Sequence, residues 1–390
     1  MPIIKNKPLL LQKITRIVFW EPCTSPHKVD FFAAIAAIAP NIEVVCCANN
    51  ELPKERREQG WSIKCNDAFE TIVGPTLIEI NKLVEIKKNN TLHIFSGIRW
   101  APNIVAGLKS VKRNNAKFAI MSEPRVGEGW RGAIRYLQSW LTEGWLRRHS
   151  NFILAQGKNG PPWFRSVGYP IDRIFSFAYF INPAKILTPY NNKNYIENSP
   201  IQIGYAGRLV KMKGIFDLVI AIKELGATAQ LNVAGSGPEE NDLKIACQQL
   251  QLDTKFFGVV PIQEMSDFMR KLDILVLAST SKDGWGVVIS EALMCGTAVI
   301  ATPFVGASLL LNDPLFGRCV PPGSPESIVD AVQEMKMALS YTAKIREKRE
   351  ILAKSRLSAE SGARHLLDII EWCFSDGPRP IPFYESKDHL

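Results

Sequence analysis

Residues 279–302 read Ser-Thr-Ser-Lys-Asp-Gly-Trp-Gly-Val-Val-Ile-Ser-Glu-Ala-Leu-Met-Cys-Gly-Thr-Ala-Val-Ile-Ala-Thr. A largely apolar run, 272–278, precedes them and has the composition of a buried strand. A loop carrying Asp283, Gly284 and Gly286 comes next, then a helical stretch ending at Met294, with Cys295-Gly296 as its C-cap. A second β-rich run fills 298–302. Strand, loop, helix and strand in this order make one unit of a parallel sheet. Glycines just ahead of a helix let backbone N–H groups approach an anion at the positive end of the helix dipole. Asp283 and Glu291 stand eight positions apart, one in the loop and one on the helix, so both can line one crevice. They could act as a general acid/base pair. Alternatively, Glu291 could accept hydrogen bonds from vicinal sugar hydroxyls, as acidic residues do with ribose. Asp283 is also explained as an acid satisfying the helix dipole. Glu291, beside Ile289, Ala292 and Leu293, is not.

The same βα alternation extends upstream. Residues 201–205 form a strand, and 206–214, Ala-Gly-Arg-Leu-Val-Lys-Met-Lys-Gly, a basic glycine loop. The next helix carries Leu218, Val219, Ile222 and Leu225 on one face. Residues 230–234 and 255–259 are further strands. Arg208 and Lys213 put two cations on one strand-to-helix loop, a place suited to a pyrophosphate; two solvated surface cations are the bland alternative. Gly235-Ser236-Gly237 after a strand hints at dinucleotide binding, but Glu240 holds the place of the third glycine, which favours a plain tight turn over an oxidoreductase. Helical patterns fill 327–349 and 359–373.

The first half repeats the style. Strands are expected at 14–20, 43–48, 92–95, 118–121 and 151–156, with a loop over 21–27 leading into an apolar helix, 29–39. Ligands of such sheets bind beyond the carboxyl ends of the strands. That places Thr24-Ser25-Pro26-His27, Ser96-Gly97 and Ser122-Glu123-Pro124 at the crevice. His27 and His93 sit at strand ends, with no triad or metal spacing joining them. In 130–148, Trp130, Ile134, Leu137, Leu141 and Trp145 recur at helical spacing, and Arg125, Arg131, Arg135, Arg147 and Arg148 outnumber Glu128 and Glu143. Such a helix either lies in a membrane interface or turns its tryptophans to the core. The polar, asparagine-rich stretch 190–200 reads as a linker.

A chain of 390 residues exceeds one core, which argues for two domains. The net charge of +9 suits anionic partners such as nucleotides, lipid headgroups or nucleic acid without choosing among them. Eight cysteines without a Cys-x-x-Cys pair fit a reducing cytoplasm and no zinc site. Residues 1–13 lack the apolar core of a signal peptide, and no apolar run is long enough to span a bilayer, so any membrane contact is expected to be peripheral.

Taken together, Gly207-Arg208…Lys213-Gly214, Val233-Ala234-Gly235-Ser236-Gly237-Pro238, Phe257-Gly258-Val259-Val260 and Asp283-Gly-Trp-Gly…Glu291-Ala292…Gly296 resemble the C-terminal half of the retaining, nucleotide-sugar-dependent glycosyltransferases of family 4. The resemblance spans about residues 200–310, and the first half matches only in strand order. It implies an α/β chain of GT-B fold, two Rossmann-like domains facing across a cleft. Residues 1–185 would bind the acceptor and 200–358 the nucleotide sugar, while 359–390 would cross back to the first domain.

The resemblance implies that Arg208, Lys213 and the backbone at Gly286, Val287 and Val288 hold the donor diphosphate. Glu291 would bind ribose, Val259 and Val260 would border the base, and Asp283 would meet the transferred sugar. Asp283 replaces the usual glutamate, Ser122-Glu123 stands where many relatives carry a histidine, and residues 23–27 replace a glycine-rich loop. Asp283, Glu123 and His27 are therefore the catalytic candidates. The implied reaction moves a hexose-type sugar, with retention, to an acceptor hydroxyl, first of all on a lipid-linked saccharide of surface-polysaccharide assembly. It would need neither cofactor nor metal and would involve no nucleic acid. The expected place is the cytoplasm, at the cytoplasmic face of an anionic membrane if 130–148 touches it. Alternatives are a soluble small-molecule or protein acceptor, or a non-catalytic nucleotide- or glycan-binding protein.

Overall fold

The computed structural model describes residues 13–58, 60–62, 66–125, 129–183, 199–338, 342–375 and 377–385. The linker expected at 190–200 falls mostly outside them, as do residues 1–12 and Glu128. The chain divides into two compact units. The first comprises Met1–Pro53, Ile63–Phe180 and Ala359–Lys387; the second is chiefly Lys54–Ser62 and Ile181–Ser358.

The first unit is built on strands β1 (Arg16–Cys23), β2 (Glu43–Asn50), β3 (Glu70–Val73), β4 (Thr91–Ser96), β5 (Lys117–Ser122), β6 (Ile153–Gln156) and β7 (Ile174–Phe177). They form one parallel sheet in the order β3-β2-β1-β4-β5-β6-β7. Ile17, Val18, Phe19 and Trp20 of β1 have no exposed surface, as expected of a strand covered on both faces. The C-terminal helix Ala359–Ser375 packs on the helix Pro26–Ile38. It approaches so closely that a Cβ on Gly362 would stand 2.1 Å from the Phe180 ring. Trp372 and His365 of this helix meet Phe175 and Phe177.

The second unit holds β8 (Ile201–Ala206), β9 (Ala229–Ala234), β10 (Thr254–Gly258), β11 (Ile274–Leu277), β12 (Ala298–Ala301) and β13 (Gly317–Cys319), parallel in the order β10-β9-β8-β11-β12-β13. In both sheets the strand order reverses direction once, between β1 and β4 and between β8 and β11. Such a switch point opens a crevice at the carboxyl ends of the two strands.

Three strands escaped the sequence pattern. β3 is a largely exposed edge, β7 is interrupted by Ser176, and β13 is three residues long, so none forms an apolar run. The loop expected at 21–27 shrinks to two residues, because β1 runs to Cys23 and Pro26 already opens a helix. The helical pattern at 327–349 belongs to two helices, Pro325–Met337 and Ala343–Leu357.

The Trp/Arg-rich stretch is also two helices, Gly129–Thr142 and Gly144–His149, with the buried Glu143 between them. The core reading holds for Trp145 of the second helix, while the apolar side chains of the first lie at the surface. Trp130, Ile134, Leu137 and Leu141 lie on the surface of the first helix, between 56% and 70% exposed. Trp145 of the second stacks on Phe118, 5.0 Å between ring centres. Two of the arginines are tied internally: Arg147 to the carbonyls of Ser139, Trp140 and Val167, and Arg125 to Ser139 and Glu143. His93 is a core residue, fully buried and accepting a 3.2 Å hydrogen bond at Nδ1 from the Trp20 indole.

Candidate active site

Four pieces of the second unit meet at its switch point. The loop after β8 carries Arg208 and Lys213, and the loop after β11 carries Asp283. The turn after β9 locks onto the first of these: Leu209 N–H donates to Ser236 O (2.9 Å) and Glu239 N–H to Leu209 O (3.2 Å). So Gly235-Ser236-Gly237 serves as a tight turn bracing the basic loop. The loop itself is pressed against the end of β11. Gly214 adopts φ +66°, and a Cβ there would lie 1.9 Å from Ala278 O, so only glycine fits.

Lys213 and Asp283, 70 residues apart, form an ion pair, Nζ to Oδ2. The Ser279 hydroxyl donates to the same oxygen at 2.9 Å, and the Asp283 N–H donates to Phe304 O at 3.1 Å. The structure thus joins two residues to which the sequence reading gave separate tasks. Arg208 is exposed, and its guanidinium has no hydrogen bond or ion pair among the described residues. Its carbonyl is fixed by the Tyr205 hydroxyl at 2.8 Å.

Gly286, at φ +77°, is the N-cap of the helix Val287–Met294. A left-handed glycine at this point leaves the first-turn amides facing outward, an anion-binding arrangement. Glu291 lies on the same helix, 8% exposed, with no hydrogen-bond partner for its carboxyl among the described residues. Burial alone pushes its pKa up to about 7. A buried carboxyl in that state is ready to take hydroxyl donors from a ligand.

Val259 and Val260 follow β10. Beside them lies a segment the sequence reading missed. Lys54–Ser62 comes from the first half of the chain but belongs to the second unit. Gly60 sits against Val259, Val260 and Pro261, Ile262 N–H donates to Gly60 O (3.4 Å), and the Gln263 amide donates to Ser62 Oγ (2.6 Å). Its only sequence signal was Gly60-Trp61 after a charged run.

Glu123 and His27 belong to the first unit, Asp283 to the second. Glu123 directly follows β5, and its carboxylate is hydrogen-bonded to the Tyr179 side chain. His27 lies in the first turn of Pro26–Ile38. At the switch point of the first sheet a part-buried trio, Glu21, Lys28 and Ser96, has no signal in the sequence pattern. Lys28 Nζ donates to both oxygens of Glu21 (2.7 and 2.9 Å) and to Ser96 Oγ (2.8 Å). Glu21, expected in a loop, lies within β1.

Residues 189–354 match the model of the family described as glycosyl transferases group 1. An uncharacterised glycosyltransferase of Methanocaldococcus jannaschii is 29% identical over 186 residues, 46% of this chain and 44% of that protein. The GDP-mannose-dependent monoacylated alpha-(1-6)-phosphatidylinositol monomannoside mannosyltransferase of Corynebacterium glutamicum is 30% identical over 122 residues, 29% of this chain and 32% of that one. The chain thus aligns with less than half the length of these relatives. The crystal structure of HepE from Anabaena in complex with UDP superposes with a TM-score of 0.68 at 15% identity, covering 92% of this chain and all of that one, a likeness of fold. Residues 189–354 are thus similar to the group 1 glycosyl transferases, and the two parallel α/β units have the fold of the GT-B glycosyltransferases.

Proposed function

We propose that the chain is a retaining glycosyltransferase that moves a sugar from a nucleoside diphosphate to a saccharide hydroxyl without a metal ion. The observation that carries this reading is the convergence, at the switch point of β8 and β11, of the Arg208/Lys213 loop, the Gly286-capped helix and the buried Glu291. Arg208 and Lys213, with the amides of Gly286, Val287 and Val288, bind the diphosphate. Glu291 takes the ribose hydroxyls, and Val259-Val260 with Gly60 borders the base. Asp283, positioned by Lys213 and Ser279, meets the transferred sugar.

In the reaction, the bond from the anomeric carbon to the diphosphate breaks and a bond to the acceptor oxygen forms on the same face. The acceptor proton passes to the departing phosphate oxygen, so no strong protein base is required. The cations at Arg208 and Lys213 stabilise the charge that develops on the leaving group. Glu123 and His27 are the candidates from the first unit for contacts on the acceptor side.

The favoured acceptor is a lipid-linked saccharide of surface-polysaccharide assembly, with the helix Gly129–Thr142 resting on an anionic membrane at the cytoplasmic face. Its exposed Trp130, Ile134, Leu137 and Leu141, with the exposed Arg135 on the same helix, support this reading. The Corynebacterium relative is named for a phosphatidylinositol-linked acceptor. No described helix is long and apolar enough to cross a membrane.

A screen of common nucleotide sugars, read by calorimetry and by nucleoside diphosphate release, tests the reading. Arg208→Ala and Lys213→Ala should each weaken donor binding about tenfold or more. Unchanged affinity in both would sink the site. Vesicles with anionic lipid should sediment the protein at low salt, and Trp130→Ser with Leu137→Ser should weaken this. No sedimentation at any composition would leave a soluble acceptor as the better reading.

A further inference from the structure

Behind the carboxyl ends of β4 and β5 the first unit contains a cavity of about 430 Å³. Three guanidinium groups, Arg99, Arg125 and Arg135, line it. Their main counter-charge is Glu143, whose side chain is 2% exposed. Arg99 Nη2 lies 3.0 Å and Arg125 Nη2 3.3 Å from one oxygen, Oε1, of that carboxylate. The other, Oε2, accepts 2.9 Å from the Tyr169 hydroxyl. Glu143 is therefore hydrogen-bonded through Oε2 alone, while the buried Oε1 is ion-paired to both arginines without a well-aligned hydrogen bond among the described residues. The second acid on the wall, Glu123, is bonded to Tyr179.

Two arginines sharing one carboxylate oxygen leave N–H groups without an acceptor. Arg99 Nη1 is such a group, buried and without a hydrogen-bond partner among the described residues. An orphaned donor on a charged side chain is costly unless a ligand completes it. Arg125 also feels the strain of the cluster. Burial first, then the charges of Arg99 and Arg135, lower its pKa against the pull of Glu143. Among the described side chains lining the cavity, three guanidinium groups stand beside two carboxylates. Trp100, 68% exposed, adds an indole to the same wall.

We propose that this cavity binds a phosphate or diphosphate group of the acceptor, with Arg99 and Arg125 as its forked ligands, Arg135 as an outer cation and Trp100 against the adjoining sugar. Guanidinium forks match phosphate oxygens two at a time, and an anion fills the one role that Glu143 leaves open. That the anion belongs to an acceptor rests on the transferase reading; that the cavity takes an anion does not.

The test uses the full chain carrying Arg208→Ala and Lys213→Ala, which silences the diphosphate site of the second unit, with pyrophosphate as the probe in calorimetry. Pyrophosphate should still bind this background, and Arg99→Gln or Arg125→Gln should raise Kd about tenfold or more. Should either variant fail to fold, the exposed Arg135→Gln decides, with an expected rise of about threefold. No pyrophosphate binding, or equal Kd in all the variants that fold, overturns the proposal. A parallel series with phosphatidylglycerol vesicles separates the sources of the phosphate. If Arg99→Gln lowers vesicle binding while soluble pyrophosphate does not bind, the arginines read a membrane surface and the cavity site is wrong. If pyrophosphate binds as expected but the wild-type chain binds no nucleotide sugar, the anion site stands and the transferase reading falls.

Discussion

Glu291 shows how much one buried carboxyl can report. It was conspicuous in the sequence as an acid on an apolar helix, and the structure places it 8% exposed with a pKa near 7. A folded pKa above the ordinary glutamate value of 4.5 means that the folded chain keeps a proton the unfolded chain has released. The stabilising contribution is complete below about pH 4.5 and is lost as pH rises through 7. Its upper size is ~3 kcal/mol. Chemical denaturation at pH 5 and pH 8 should therefore show a loss of stability that shrinks by about 2 kcal/mol in Glu291→Gln. If ribose hydroxyls bind the carboxylate, nucleotide binding near pH 7 also releases a fraction of a proton, seen in calorimetry as a dependence on buffer ionisation heat. A Gln variant with the wild-type pH slope would show that the titrating group lies elsewhere. Asp283 was equally visible, but its pairing with Lys213 was not, because nothing in a sequence ties residues 70 positions apart.

At the scale of elements, the crevice is held by loops packed backbone to backbone. Such contacts leave glycines as their only sequence trace, which reads as a phosphate loop at Gly207 and Gly214 and as a tight turn at Gly235 and Gly237. Gly214 carries the severest constraint, with its left-handed φ and the Ala278 carbonyl where a side chain would begin. Gly214→Ala should cost at least about 2 kcal/mol in denaturation experiments and should weaken donor binding with it, since Lys213 is the preceding residue. Gly60 offers a milder comparison. Its φ is +80°, and a Cβ would meet Pro261 Cα at 3.2 Å, on the wall next to Val259 and Val260. Gly60→Ala should change selectivity between uridine and guanosine diphosphate donors more than it changes global stability, as a donor screen with the variant would show. Equal losses for every nucleotide would remove Lys54–Ser62 from the base-binding wall. The break at Glu143 belongs here too. The apolar period runs through it without a fault, so the sequence shows one helix, and only the burial of that carboxylate among Arg99, Arg125 and Tyr169 explains two.

Across the whole molecule, the alternation of apolar runs with helical periods made both parallel sheets legible, because parallel strands are buried on both faces and leave continuous apolar runs. The strands that escaped are at or near sheet edges, where that condition fails. The candidate donor site was legible for the same reason as its fold: its residues fall at strand ends in a fixed order. The arginine cavity of the first unit was not, since Arg99, Arg125 and Glu143 come from three separate segments and follow no period. The two sheets have separate cores, which leads to an expectation for the entire chain. A ligand at a hundred times its Kd stabilises the state that binds it by ~2.7 kcal/mol, about a hundredfold in an opening equilibrium. Hydrogen exchange with saturating nucleoside diphosphate should therefore slow by up to that factor in β8, β9 and β11, whose ends carry the candidate donor site. The core amides of β1, β4 and β5 should change far less. Equal slowing in both sheets would mean that the units open together, and no slowing in β8 and β11 would move nucleotide binding away from Arg208, Lys213 and Glu291.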